Sequence, residues 1–293
     1  MTGTLRCALL SVWAWAAVRA AEPVVMGLFP AGCQAGTRTA VEAVGTFDRW
    51  PVNVWTDDPN LVFTAAETVG GFTVEAASGV RPGPHLLRMY EVDGASAPVL
   101  FVVGTAPELV QSVQVTNQAA RSVERFPVTL NGRIAATSAA DTYKLVLPDS
   151  CALDVAVCAT ALDSPLSASL ELLDSATNRV ALVEARPGID PNLFCTLATG
   201  GSYWLRVGGI LGTHLNGEKP GTNAAGIYRV AVSIQSVDAS TTSTGESVQP
   251  VQAAVEMFRP MVAVRTLMIP SVTRGVISPA GRRIYYGFES SGQ

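Results

Sequence analysis

From residue 24 onward, apolar and polar residues alternate with a period of two in one short run after another. An extended chain points successive side chains to opposite faces, so this alternation marks strands with one buried face. Tyr143, Leu145 and Leu147 alternate with Thr142, Lys144 and Val146. Leu153, Val155 and Val157 alternate with Asp154 and Ala156. Leu166, Ala168, Leu170 and Leu172 form another row. Tyr203, Leu205 and Val207 face away from Trp204 and Arg206, and Tyr228, Val230, Val232 and Ile234 face away from Arg229, Ala231 and Ser233. Turn residues separate the rows at Pro148-Asp149-Ser150, Asp163-Ser164-Pro165, Arg186-Pro187-Gly188 and Gly200-Gly201. Short strands at this spacing imply an all-β sandwich or barrel. Glu108–Val123 has some helical composition, but its apolar positions do not sustain a 3.6 period, so it reads as a connector.

The chain divides into regions on the same pattern. Residues 22–106 carry strand candidates at Val24–Phe29, Thr37–Val44, Asn53–Thr56, Leu61–Ala65, Gly71–Ala77, His85–Val92 and Val99–Val103. Residues 107–126 are the connector, and 127–236 carry about eight further strands. Residues 237–252 are a Ser/Thr-rich stretch that reads as a linker. Residues 253–293 open another β unit that the sequence leaves incomplete, which suggests a fragment or a truncated reading frame.

The first twenty residues read as an address. Arg6 precedes twelve uncharged residues, Cys7–Val18, and Val18-Arg19-Ala20 places small residues at −3 and −1 of a cut after Ala20. That is the pattern of a secretory signal peptide. It is too short for a membrane span, which needs about 20 apolar residues. The expected product is secreted, periplasmic or on the cell surface, with no membrane span once the signal is removed. Net charge is −4, and removing Arg6 and Arg19 takes it to −6. Neither value favours nucleic acid or anionic lipid. Residues 22–106 carry nine acidic and four basic side chains, net −5, which makes an acidic polymer the poorest partner.

Residues 127–236 resemble the bacterial pre-peptidase C-terminal domain. The resemblance rests on Gly132 and Ile134, on Asp141 with Tyr143 and Leu145, on Leu170-Glu171-Leu172-Leu173-Asp174, on Gly201-Ser202-Tyr203-Trp204-Leu205-Arg206-Val207, and on Tyr228-Arg229-Val230. A partial second copy runs from Val272-Thr273-Arg274-Gly275 to Ile284-Tyr285-Tyr286. Residues 22–106 are similar to immunoglobulin-like domains of the TIG/IPT group through Leu28-Phe29-Pro30-Ala31-Gly32, Gly36-Thr37, Gly45-Thr46-Phe47 and Pro82-Gly83-Pro84-His85. Together these imply tandem antiparallel β-sandwiches, Ig-like then jelly-roll-like, with a truncated third unit. They imply a non-catalytic binding, spacer or accessory module of a larger exported protein, in some cases a secreted peptidase. A carbohydrate- or matrix-binding module is the first alternative, and an uncharacterised hydrolase the second.

Each candidate for chemistry meets a plain structural reading. Some members of the resembled family hold Ca²⁺ with a paired Asp, but here only Asp141 survives; the first Asp position is Ala139 and the preceding Gly position Ser138. Ca²⁺ needs 6–8 converging oxygens, so no metal or cofactor is expected, and Asp141 should cap a turn or pair locally. Hydrolysis would need His85 or His214 beside a nucleophile, yet neither G-x-S-x-G nor H-E-x-x-H occurs. His85 therefore reads as structural. Asp57, Asp58 and Asp190 are candidate carboxylates, but Asp57-Asp58-Pro59-Asn60 reads as a turn. After export the thiols are Cys33, Cys151, Cys158 and Cys195. Cys151 and Cys158 end one predicted strand, about 23 Å apart, and cannot pair with each other. A bond from Cys195 to either is open, though no spacing framework compels one and no disulfide is expected. Trp50, Trp55 and Trp204 form the candidate recognition surface, for an unidentified protein or polysaccharide at the cell surface; the competing role for Trp50 and Trp55 is closing the end of a sandwich core.

Overall fold

The computed structural model describes residues 21–111, 120–135, 139–212 and 226–237, with the short stretches 265–266 and 286–287. The signal-peptide expectation, the bulk of the Ser/Thr-rich linker, most of the third unit and His214 lie outside the described residues. Within them the regular secondary structure is strand apart from one 3₁₀ turn.

The first sandwich uses β1 (Val24–Phe29), β2 (Gly32–Gln34), β3 (Arg38–Thr46), β4 (Asn53–Thr56), β5 (Leu61–Ala65), β6 (Gly71–Ala76), β7 (Gly83–Glu91), β8 (Gly94–Ala95) and β9 (Val99–Gly104). One sheet runs β1-β3-β6-β5 and the other β2-β9-β7-β4, with β8 pairing β7. In chain order these are the ABED and CFG sheets of an immunoglobulin constant-type sandwich. The strand β2 is added in parallel to β9. Alternation places Leu28, Val41, Leu61, Phe72, Val74, Leu87, Met89 and Phe101 between the sheets.

The second sandwich follows at once. The segment read as a connector supplies β10 (Glu108–Val110) and β11 (Arg121–Val123). They add in parallel to β12 (Val128–Ile134) and β13 (Asp141–Leu147), one on the edge of each sheet. Three-residue parallel edge strands carry too few side chains to show alternation, so the sequence pattern missed them. The rest comprises β14 (Cys151–Cys158), a 3₁₀ turn at Thr160–Leu162, β15 (Leu166–Leu173), β16 (Arg179–Glu184), β17 (Asn192–Leu197), β18 (Gly201–Leu211) and β19 (Gly226–Ser236). The sheets run β10-β12-β19-β14-β17 and β11-β13-β18-β15-β16. Counting from β12, one sheet holds the first, eighth, third and sixth strands and the other the second, seventh, fourth and fifth. That interleaving of two Greek keys is the jelly roll. The core is built from Leu130, Tyr143, Leu145, Leu153, Val155, Leu170, Leu172, Leu205 and Val230. Of the third unit, only the parallel pair β20 (Arg265–Thr266) and β21 (Tyr286–Gly287) is described.

The two sandwiches meet face to face. A third apolar cluster joins Phe29, Ala31, Val44 and Val102 of the first to Cys158, Leu162 and Ile227 of the second. Arg133 extends across this contact, its guanidinium 4.9 Å over the Phe29 ring and 3.2 Å from the Glu42 carboxylate. Behind it Arg229, fully buried, is packed against the backbone of Gly32. A Cβ at Gly32 would overlap both the Arg229 guanidinium and the Val102 carbonyl oxygen, so only glycine fits there.

Candidate functional site

The His85 imidazole is completely buried on the inner side of β7. Its Nδ1 lies 2.8 Å from Asp57 Oδ1, and its Nε2 donates to the Arg81 carbonyl oxygen at 2.7 Å. A catalytic His–Asp pair keeps Nε2 for the nucleophile. Here that nitrogen is committed to the backbone, and Asp57 also accepts from the Leu86 amide. The pair fastens the turn after β4 to the start of β7, and the Arg81 hydrogen bond adds the loop before β7. Asp58 caps the turn at Asn60, and that backbone hydrogen bond holds its carboxyl below the usual carboxylate range. Asp190 accepts from the Ala159 and Thr160 amides and the Thr160 hydroxyl, fixing the 3₁₀ turn. The three carboxylates are therefore local fasteners.

Asp141 has a partner far along the chain. It is buried and accepts a 2.6 Å hydrogen bond from the Tyr228 hydroxyl, 87 residues away, which in turn lies 2.9 Å from the Tyr143 hydroxyl. Burial above all raises the pKa of both tyrosines. Gly132 lies directly opposite Tyr228 across β12 and β19, and a Cβ there would overlap the phenol ring. The Gly, Asp and Tyr positions that carried the family resemblance thus make one buried hydrogen-bonded unit. Among the described residues no group of three or more His, Cys, Asp or Glu side chains could hold a metal.

All four thiols are free. Cys151 and Cys195 belong to the inner face of the jelly roll, whereas Cys158 takes part in the contact between sandwiches. Burial pushes Cys33 up to about 11 and Cys158 up to about 12, which leaves both as unreactive thiols at neutral pH.

The three tryptophans have separate fates. Trp50 closes the end of the first core: its indole donates to the Ala66 carbonyl at 2.7 Å, and its ring meets Phe47 and Phe72 edge-on at 5.4 and 5.2 Å. Trp204 is half-buried on the outer face of β18, between Lys144 and Leu173 on the neighbouring strands. Trp55 is different. It is 52% exposed on the outer face of β4. Arg88 stands directly opposite on β7, and Tyr90, itself 42% exposed, pairs with Asn53 on the same face. Leu86 continues the row towards Leu100, which lines a small cleft between the sandwiches with Met26, Leu162, Pro165 and Ile227. Arg88 and Tyr90 escaped the sequence reading because their membership of the Trp55 face depends on which strand pairs with β4. The i, i+2 parity of Arg88 and Tyr90 was the one available signal.

The open half of this sheet is thus an aromatic platform with flanking hydrogen-bonding groups, continuous with a docked interface. Trp and Tyr offer large rigid contact area at low entropic cost, and Arg and Asn supply directional donors and acceptors.

No protein-family model matches the chain, and no curated protein matches it. Solved structures do align. One is PliG of Aeromonas hydrophila, a periplasmic inhibitor of g-type lysozyme, at 15% identity over 44% of this chain and 99% of that one, with a TM-score of 0.29. Another is the pre-peptidase C-terminal domain of a collagenase from Bacillus anthracis, at 17% identity over 42% of this chain and 100% of that one, TM-score 0.28. A third is SGBP-B of the Bacteroides ovatus mixed-linkage glucan utilization locus, in complex with a heptasaccharide, at 9% identity over 73% of this chain and 75% of that one, TM-score 0.23. Likeness at such identities and scores bears on neither ligand nor activity. Among the described residues no helix is long and apolar enough to cross a membrane.

Proposed function

We propose that this chain is a non-catalytic binding module of an exported or cell-surface protein, and that its contact surface is the Trp55 face of the first sandwich. The single observation that carries this reading is the half-exposed Trp55 ring set opposite Arg88, with Tyr90 and Asn53 beside it on an open sheet. Trp and Tyr together on one open sheet face are the residue types enriched where proteins meet ligands and partners. Flat rings flanked by an Arg and an Asn suit the apolar faces and hydroxyl edges of sugar rings. The net charge of −5 over residues 22–106 argues for a neutral polysaccharide over an acidic one. The jelly roll serves in this reading as the rigid partner that orients the first sandwich, and the module as an accessory to a larger exported polypeptide.

Affinity electrophoresis of the full chain in gels containing barley β-glucan, xyloglucan or starch tests it. Retardation by at least one of these, lost in Trp55→Ala and kept in Val62→Ala, is the expected result. Unchanged mobility in all three gels, or retardation that survives Trp55→Ala, overturns the reading.

A further inference from the structure

The outer face of the jelly-roll sheet β17-β14-β19 holds a second feature, on a different sandwich from the Trp55 platform. Here β14 turns Ala152, Asp154 and Ala156 outward, each only 8% exposed. Asp154 stands directly between Phe194 on β17 and Ser233 on β19. Adjacent strands are about 4.8 Å apart, so the flanking rows stand about 10 Å from one another over a floor of small residues. Phe194 is 60% exposed on one wall. Asn192, Thr196, Ala231 and Gln235 complete the walls, and none of the six wall residues carries a charge.

Asp154 Oδ1 is buried with no hydrogen-bond partner among the described residues. Burial raises the carboxyl's pKa, and the Asn192 side chain opposes that shift. The Asn192 side chain serves the carboxyl only in part, so an oxygen without a partner remains beside an exposed aromatic ring, and that is a standing cost. A ligand that brings a positive hydrogen-bond donor relieves it.

We infer that this trough is a binding site for a primary ammonium group, and that the group is the lysine side chain of a protein partner. A rotation of the Asp154 side chain brings Oδ1 to the trough surface, where the ammonium donates to it; the Phe194 ring faces the charge, and the alanine floor receives the stem. An amino sugar offers the same ammonium but no apolar four-carbon stem, and the Ala152–Ala156 floor favours the stem.

The test is a two-dimensional ¹H–¹⁵N NMR titration of the full chain with Nα-acetyl-L-lysine methylamide. The expected result is saturable shifts at Asp154, Phe194 and Ser233, with a dissociation constant of about 1 mM or tighter. The norleucine analogue, which lacks the ammonium, produces no such shifts. Asp154→Asn weakens binding by at least roughly tenfold. That variant melts at the same or a higher temperature, because it removes a buried charge that Asn192 compensates only in part. Phe194→Ala, at an exposed position, weakens binding without touching the carboxylate. Absence of shifts, equal shifts from the norleucine analogue, or full affinity in both variants overturns the proposal. Tighter binding of glucosamine at the same resonances overturns the lysine assignment.

Discussion

Arg229, on the last strand of the jelly roll, grips Glu108 with both terminal nitrogens: Nη2 to Oε1 at 2.6 Å and Nη1 to Oε2 at 3.0 Å. Asn131 ties the pair together, accepting from Nη1 at 3.1 Å and donating to Oε2 at 2.8 Å. Gly32 and Gly104 of the first sandwich roof this unit, so the charges are desolvated by the neighbouring sandwich. The pair therefore senses whether the two sandwiches are docked. Glu108→Gln removes the carboxylate that grips the buried Arg229 guanidinium. It should lower stability by about 3–5 kcal/mol in urea unfolding, the usual cost of breaking a buried pair. Gly32→Ala, placed against the same guanidinium, should separate the sandwiches and expand the particle in small-angle X-ray scattering. Wild-type stability in Glu108→Gln would mean that the pair is solvated in solution.

The tryptophans separate stability from binding. Trp50→Ala removes ring packing and the Ala66 hydrogen bond and should destabilise the protein by about 3 kcal/mol. Trp55→Ala removes an exposed ring and should stay within about 0.5 kcal/mol of wild type. Parallel chemical denaturation curves check this. A large loss in Trp55→Ala would show that its ring holds the sandwich together.

Stability should fall on the alkaline side. The pKa values of Cys33 and Cys158 are raised in the folded protein, so they hold their protons there more tightly than in the unfolded chain. Their contribution is whole below the unfolded thiol value of about 8.5 and is lost as pH rises through their folded values. Tyr143 and Tyr228, raised by burial, extend the same loss above about pH 10. Melting temperature should therefore decline steadily above about pH 8.5, and less steeply in Cys158→Ala. A flat profile between neutral pH and that range and beyond contradicts the burial of these groups.

The same burial orders the thiols by reactivity. Cys195 is the one thiol of the four that is not fully buried, though burial raises its pKa as well. An alkylating reagent at mildly alkaline pH should label Cys195 first in the native protein, with Cys33 and Cys158 labelled only on unfolding. Peptide mass mapping after timed iodoacetamide treatment reads this order, and early labelling of Cys158 would contradict a closed contact between the sandwiches.

Much of the architecture is legible in the residues themselves, and the reason is local. The bounds of β1, β4 and β5 follow from alternation cut by turn residues, and the rows within β13, β14, β15, β18 and β19 follow the same signal. The three-residue strands β2, β10 and β11 leave no such trace, because parallel edge pairing is decided by distant partners. Long-range chemistry was hidden for a related reason. Arg229 and Glu108 are 121 residues apart, and Tyr228 and Asp141 are 87 apart. Asp154 was visible as an outward residue, but the missing partner of its Oδ1 depends on Phe194 and Ser233 arriving from two other strands. Trp55 was legible as a candidate from its type and its turn-side position, whereas its separation from Trp50 and Trp204 needed the sheet order.

The binding role of the Trp55 face is tested most directly by tryptophan protection. N-Bromosuccinimide oxidation of the full chain, with and without the polysaccharide that retards it, should be followed by peptide mass mapping. Trp55 should oxidise first in the free protein and become protected when the polysaccharide is bound, while Trp50 changes little. Oxidation of Trp55 at the same rate in both samples would contradict the assignment of this face as the binding surface.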